Sequence, residues 1–216
     1  MQQVDLAYYS ARAGEYERIY SKPERQGELQ VLRDVIPDYF SNRSVLEVAC
    51  GTGYWTQYIA NLARSICAVD LSGGALAMAR AKNLNQDRVR FLIADAMALP
   101  IELGVFESSF CGFWWSHIAR AAIPAFLNSL HLHLSPGAKV VLVDNLYVEG
   151  SSTPIARQSV EGDTYQLRQL SDGSRYEILK NFPTEQDLRR QLGTRVRCIK
   201  YTSLRYYWYL EYEVAA

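Results

Sequence analysis

The stretch Val45-Leu46-Glu47-Val48-Ala49-Cys50-Gly51-Thr52-Gly53-Tyr54-Trp55-Thr56 constrains this chain more than any other. Its apolar, partly β-branched opening predicts a strand from Val45 to Ala49. Gly51 and Gly53 end that strand. Glycines so spaced permit φ > 0 and leave room for a ligand to approach the backbone, as a sharp strand-to-helix turn requires. The helix that follows aims its free N–H groups into the turn. About twenty residues later such a unit places an acid at the end of its second strand, where it accepts hydrogen bonds from ribose hydroxyls. Ser65-Ile66-Cys67-Ala68-Val69 leads to Asp70.

Two ligand classes compete for this turn. A dinucleotide pyrophosphate asks for a third glycine three residues after the second. That position is Thr56, behind bulky Tyr54 and Trp55, so NAD and FAD are disfavoured. S-adenosylmethionine carries no phosphate. The order Glu47, Ala49, Gly51, Gly53, then Asp70, then Asp95 after Phe91-Leu92-Ile93-Ala94 resembles the class I S-adenosylmethionine-dependent methyltransferases over residues 40 to 145. Their first motif is an acid followed by three alternating glycines, and here Ala49 stands in the first glycine's place. The segment from Asp144 to Pro154, with Lys180-Asn181-Phe182-Pro183, resembles a bacterial branch of that superfamily but brings no substrate with it.

The resemblance implies an α/β fold, a three-layer Rossmann-like methyltransferase sandwich. Its sheet is mostly parallel and twisted, with a C-terminal antiparallel strand pair and a small hairpin insertion. For cofactor contacts the resemblance implies Tyr16, Glu47, Ala49, Gly51, Gly53, Asp70, Leu71, Asp95, Ala96 and Trp114. In this set Glu47 lies near the cofactor's amino-acid part, Asp70 accepts from the ribose, and Asp95 with the Ala96 backbone sits near the adenine. Each acid has a plainer reading. Glu47 orients the loop, Asp70 is a surface strand-end acid, and Asp95 caps a following helix.

Charge narrows the partners. Lys plus Arg and Asp plus Glu number 23 each, which leaves no electrostatic footprint for nucleic acid or an acidic membrane. The Asn/Asp-Pro-Pro-aromatic signature of base amino-methyltransferases is absent after the fourth strand. Cys50, Cys67, Cys111 and Cys198 lack metal-type spacing and read as buried reduced thiols, and no metal is expected. No signal peptide opens the chain and no apolar run reaches membrane-spanning length, so a cytoplasmic monomer or homodimer is expected.

With 216 residues, one domain is expected over 1–216. Its parts are an N-terminal helical lid (1–40), a cofactor-binding core (41–145), a hairpin insertion (146–183) and a C-terminal helix and strands (184–216). Tyr9, Ala13, Tyr16 and Tyr20 recur at helical spacing, either packed on the domain or covering the cofactor. Leu29, Leu32 and Ile36 mark a second helix. Strands over 65–69, 89–94, 110–114 and 139–143 alternate with helices over 54–62, 72–81 and 123–134, the last closed by Pro136-Gly137. Such alternation implies a parallel sheet with ligands beyond the strands' carboxyl ends. Residues 164–168 and 175–179, joined by Asp172-Gly173, read as a hairpin; 195–201 and 204–213 read as strands.

Methyl transfer is an in-line displacement in which the donor supplies the electrophile, so the protein positions the reactants and, where needed, takes a proton. His117, after Phe113-Trp114-Trp115-Ser116, is the candidate general base, because an ordinary histidine pKa suits that work. A structural histidine is the alternative. His131 and His133 read as solvated. Tyr9, Trp115, His117, Asn145, Arg157 and Arg168 are the candidate substrate contacts. Trp115 offers a stacking surface and Asn145 lies at the mouth with Asp144. The two arginines either hold an anionic substrate or are solvated hairpin residues. The function these features imply is methyl transfer from S-adenosylmethionine, giving S-adenosylhomocysteine, to a small molecule. The alternative is a cofactor-binding, non-catalytic regulatory or partner protein of the same fold.

Overall fold

The computed structural model describes residue 17 and residues 19–215. Its frame is the parallel set β1 (Ser44–Val48), β2 (Ser65–Asp70), β3 (Val89–Ile93), β4 (Phe106–Gly112) and β5 (Leu134–Asn145). A separate antiparallel sheet holds β6 (Arg157–Gln158), β7 (Thr164–Gln169) and β8 (Arg175–Leu179). The chain then returns to the main sheet through β9 (Val196–Ser203) and β10 (Tyr207–Val214), giving the order β3-β2-β1-β4-β5-β10-β9, with β10 antiparallel to both neighbours. The helices are α1 (Gln26–Val35), α2 (Thr56–Ile59), α3 (Gly73–Ala81), α4 (Ile123–His131) and α5 (Glu185–Leu192). This is the expected mostly parallel Rossmann-like sheet with a C-terminal antiparallel pair. Among the described residues no helix is long and apolar enough to cross a membrane.

β1 lies centrally, paired with β2 on one side and β4 on the other. Its alternating side chains feed two apolar cores: Leu46 and Val48 enter one, Val45 the other. The parallel register Val48↔Val69 brings the ends of β1 and β2 level, so the glycine turn emerges beside Asp70. Local chemistry sets the helix starts. The Ser72 hydroxyl accepts from Ala75 N–H at 3.2 Å to cap α3. Thr184 and Asp187 form a reciprocal capping box on α5.

Several boundaries differ from expectation. The helix read over 54–62 shrinks to the single turn of α2, flanked by other turns. β4 starts earlier than Phe110 and stops before Phe113. Its buried Ser108 and Ser109 place their hydroxyls on the carbonyls of Ser44 and Leu46, so polar residues sit in a central strand at no cost in lost hydrogen bonds. Pro136-Gly137 does not close α4 but lies inside β5, where the pairing with β4 shifts register and Gly137 takes φ 77°. His131 and His133 are not solvated. His133 is buried with Nδ1 on the Gly104 carbonyl, and His131 Nε2 is 2.9 Å from the Tyr212 hydroxyl. Burial, then Arg195, pushes His131 down to about 4. Cys198 is exposed, while Cys50, Cys67 and Cys111 are buried free thiols as expected. Tyr8, Tyr9, Ala13 and Tyr16 lie outside the described residues, and with them the lid reading of the N-terminal tyrosines.

Candidate active site

The turn after β1 has the backbone its glycines demand. Ala49, Gly51 and Gly53 take φ of 56°, 56° and 73°. Ala49 thus adopts the left-handed conformation of the glycine it replaces, at a cost of about 1–2 kcal/mol for an L-residue. A Cβ on Gly53 would lie 3.0 Å from Ala79 Cβ, so this glycine also lets α3 close on the turn. Asp70 clasps the structure from the end of β2, accepting from Gly51 N–H through Oδ2 and from Ser72 N–H through Oδ1, both at 2.8 Å. Burial pushes its pKa up, partly offset by N–H bonds from Ser72, Gly51 and Leu71.

Glu47 sits below the turn, 1% exposed, and its Oε2 accepts no hydrogen bond among the described residues. Burial is the main reason its carboxyl is pushed up to about 8; the Asp70 charge adds to the rise and the neighbouring Thr56 hydroxyl opposes it. After β3, Asp95 Oδ1 accepts from Met97 N–H at 2.9 Å and Ala96 is buried beside it.

A cleft opens beyond the ends of β4 and β5, about 780 Å³ with its mouth included. One aromatic wall joins it to the glycine turn. Tyr20 lines the cleft and stacks on Tyr54 at 3.7 Å, while Phe113 and Tyr207 continue the wall with centroids 5.7 Å apart. Phe113 takes φ 61°, strained for a bulky residue, immediately after Gly112, where a Cβ would lie 2.9 Å from the Phe110 ring.

The other wall is polar, lined by His117, Asn145, Arg168 and Lys180, with a buried carboxylate behind it. Asp144, fully buried at the end of β5, accepts from Ser116 N–H and Oγ and from Asn145 N–H, and pairs with Lys180 Nζ at 3.1 Å. Burial opposes the Asp144 charge, but the Lys180 ammonium and the N–H bonds outweigh it and hold the carboxyl below its ordinary range. His117 Nδ1 is 2.8 Å from the Leu179 carbonyl and Nε2 is 3.5 Å from Lys180 Nζ. The first contact makes Nδ1 the donor, so the Nε2 lone pair faces the ammonium.

The sequence-derived candidates divide accordingly. Ala49, Gly51, Gly53, Asp70 and Leu71 come together around the turn with Glu47 beneath it, and His117, Asn145 and Arg168 line the cleft. Three expectations are corrected. The ordinary pKa behind the general-base role of His117 is absent: burial first, then Lys180 and Arg168, push the ring well below it. Trp115 is 2% exposed and packs edge-on against Phe126, turned into the core rather than offered to a substrate. Arg157 lies outside the cleft lining, bonded through Nε and Nη2 to Glu177 and stacked on Tyr165. Trp114 is buried against Phe126, with its Nε1 making no hydrogen bond among the described residues. Tyr9 and Tyr16 lie outside the described residues.

Sequence reasoning missed Lys22, Arg25 and Lys180, all of which line the cleft. The one available signal was Lys180, a lysine held between Ile178-Leu179 and Phe182-Pro183.

Comparison with known proteins places these features. Residues 45–137 match the family model described as a methyltransferase domain. A malonyl-[acyl-carrier protein] O-methyltransferase of Priestia megaterium is 33% identical over 86 residues, 38% of this chain and 31% of that protein. A demethylmenaquinone methyltransferase of Lactococcus lactis is 28% identical over 123 residues, 55% of this chain and 47% of that protein. The matches thus span less than half the length of these relatives. The solved DhpI–SAH complex superposes with a TM-score of 0.81 at 25% identity, covering 99% of this chain and 96% of that one.

Proposed function

We propose that this chain, whose residues 45–137 match the model of a methyltransferase domain, transfers a methyl group from S-adenosylmethionine to a small molecule bound in the cleft beyond the ends of β4 and β5. The observation that carries this reading is the turn of Ala49, Gly51 and Gly53, clasped by Asp70 and underlain by the buried carboxyl of Glu47, one oxygen of which has no hydrogen bond among the described residues. These residues fit the donor. The glycines leave the backbone open to it. Asp70 has acceptor capacity beyond its backbone N–H bonds for ribose hydroxyls. Glu47 offers a buried carboxyl that ionises when the α-ammonium of the methionyl part stands beside it. Asp95 and Ala96, just after β3, are the residues the resemblance assigns to the adenine. When bound, the donor supplies a sulfonium-activated methyl carbon, and this chain's residues hold and orient its reaction partner and exclude water. The aromatic wall from Tyr54 to Tyr207 connects donor turn and acceptor cleft.

The alternative, a cofactor-binding protein without turnover, shares the donor turn; the cleft joined to it by the aromatic wall favours an acceptor. Calorimetry tests the main reading. S-adenosylhomocysteine is expected to bind and raise the melting temperature by mass action, while NAD does neither. Binding of NAD without S-adenosylhomocysteine overturns the proposal.

A further inference from the structure

Among the described residues, every charged group that lines the cleft, apart from the titratable His117, is a cation. Lys22, Arg25, Arg168 and Lys180 all line it, and no carboxylate among the described residues does so. They come from three separate parts of the chain: the entry to α1, the hairpin strand β7, and the end of β8. Their described partners are largely neutral. Arg25 donates to Asn145 Oδ1 at 3.1 Å and to Ser151 Oγ at 3.0 and 3.1 Å, Lys22 to the Ser151 carbonyl, and Arg168 to Gln166 Oε1 at 2.6 Å. Only Lys180 meets a fully buried carboxylate, that of Asp144; Glu24 stands behind Ser151, outside the lining. The cations feel one another: besides burial, Arg25 and Arg168 push Lys22 down, against an opposing pull from the Glu24 carboxylate. Clustered like charges in a partly desolvated cleft are unfavourable by themselves and become favourable when an anion enters.

We propose, resting on the methyl-transfer reading, that the acceptor is a small molecule bearing an oxyanion, a carboxylate or a phosphoryl group, held by Lys22, Arg25, Arg168 and Lys180, and that this oxyanion is itself the nucleophile. The aromatic residues Tyr20, Phe113 and Tyr207 take its apolar body. An ionised oxygen needs no general base, which agrees with a His117 whose Nε2 lone pair faces Lys180. The step balances without a proton. An oxygen lone pair forms the new O–C bond, the electrons of the breaking S–C bond stay on the donor sulfur, and one negative and one positive charge disappear together.

Titration calorimetry of the S-adenosylhomocysteine-saturated protein with benzoate, phenylphosphonate and the neutral isostere benzamide tests this. At least one anion is expected to saturate the site at least tenfold more tightly than benzamide. The tighter anion then distinguishes a carboxylate from a phosphoryl acceptor. Arg168→Gln is expected to weaken that anion about tenfold or more, the scale of one charge-assisted hydrogen bond. Lys22→Gln, at the other wall, provides a second reading should the first variant fail to fold. With S-adenosylmethionine in place of the product, mass spectrometry is expected to find the methyl ester of the tighter anion. Equal binding of benzamide, or anion affinity unchanged in both variants, overturns the anion site; saturable binding without ester formation overturns the nucleophile. Failure of S-adenosylhomocysteine to bind would refute the methyl-transfer reading instead, and the same titrations on the free protein would still decide whether the cleft holds anions.

Discussion

Replacing Glu47 by Gln is expected to make the ligand-free protein more stable and the donor bind more weakly. The carboxyl is fully buried, with one oxygen lacking a hydrogen bond among the described residues, and its pKa rises from 4.5 to about 8. Below pH 4.5 the group is protonated in both folded and unfolded chains and costs nothing. Between 4.5 and 8 the unfolded chain has released the proton that the folded one keeps, so stability falls as pH rises. At about 1.36 kcal/mol per unit, the 2.5 units from 4.5 to pH 7 amount to roughly 3 kcal/mol. Gln presents the neutral form at every pH and loses none of this. Urea unfolding of both proteins from pH 4 to 8 is expected to show little difference at the acid end and a variant more stable by about 3 kcal/mol at pH 7. In parallel, affinity for S-adenosylhomocysteine falls about ten- to hundredfold, because the α-ammonium loses a charged partner. A stability difference independent of pH, or a variant less stable at pH 7, refutes the buried-acid argument. Unchanged affinity returns Glu47 to a structural role.

Asp70→Ala removes the acceptor of Gly51 and Ser72 N–H and the proposed ribose partner; calorimetry is expected to show S-adenosylhomocysteine affinity reduced about ten- to hundredfold. Unchanged affinity in a folded variant removes Asp70 from the site. Gly53→Ala places a Cβ 3.0 Å from Ala79 Cβ at φ 73° and is expected to destabilise the protein by roughly 1–3 kcal/mol in urea unfolding. A loss under about 0.5 kcal/mol, the size of an ordinary surface substitution, contradicts the close approach of α3.

The donor half of the site was legible because its requirements are local. A positive φ asks for Gly51 and Gly53, a helix start asks for Ser72, and a strand of five or six residues puts Asp70 at its end. Each is written within a few residues, and one parallel register brings them together. Ala49 shows how strongly the backbone imposes itself, since it takes the glycine conformation at a steric cost. The acceptor half is not local. Asp144 and Lys180 stand 36 positions apart, and Arg25 and Asn145 stand 120 apart; only the sheet order and the fold-back of β7 and β8 bring Arg25, Asn145 and Lys180 to one cleft with Asp144 buried behind it. Direction at strand ends was equally hidden. Trp115 and Arg157 have the chemistry for binding, but packing on Phe126 and pairing with Glu177 draw them elsewhere. An isolated histidine also carries its ordinary pKa in sequence; burial beside Lys180 changes that of His117 in the fold. Sequence thus determined the backbone of the donor turn, while long-range packing alone decided the charge, direction and protonation of the groups that face the acceptor.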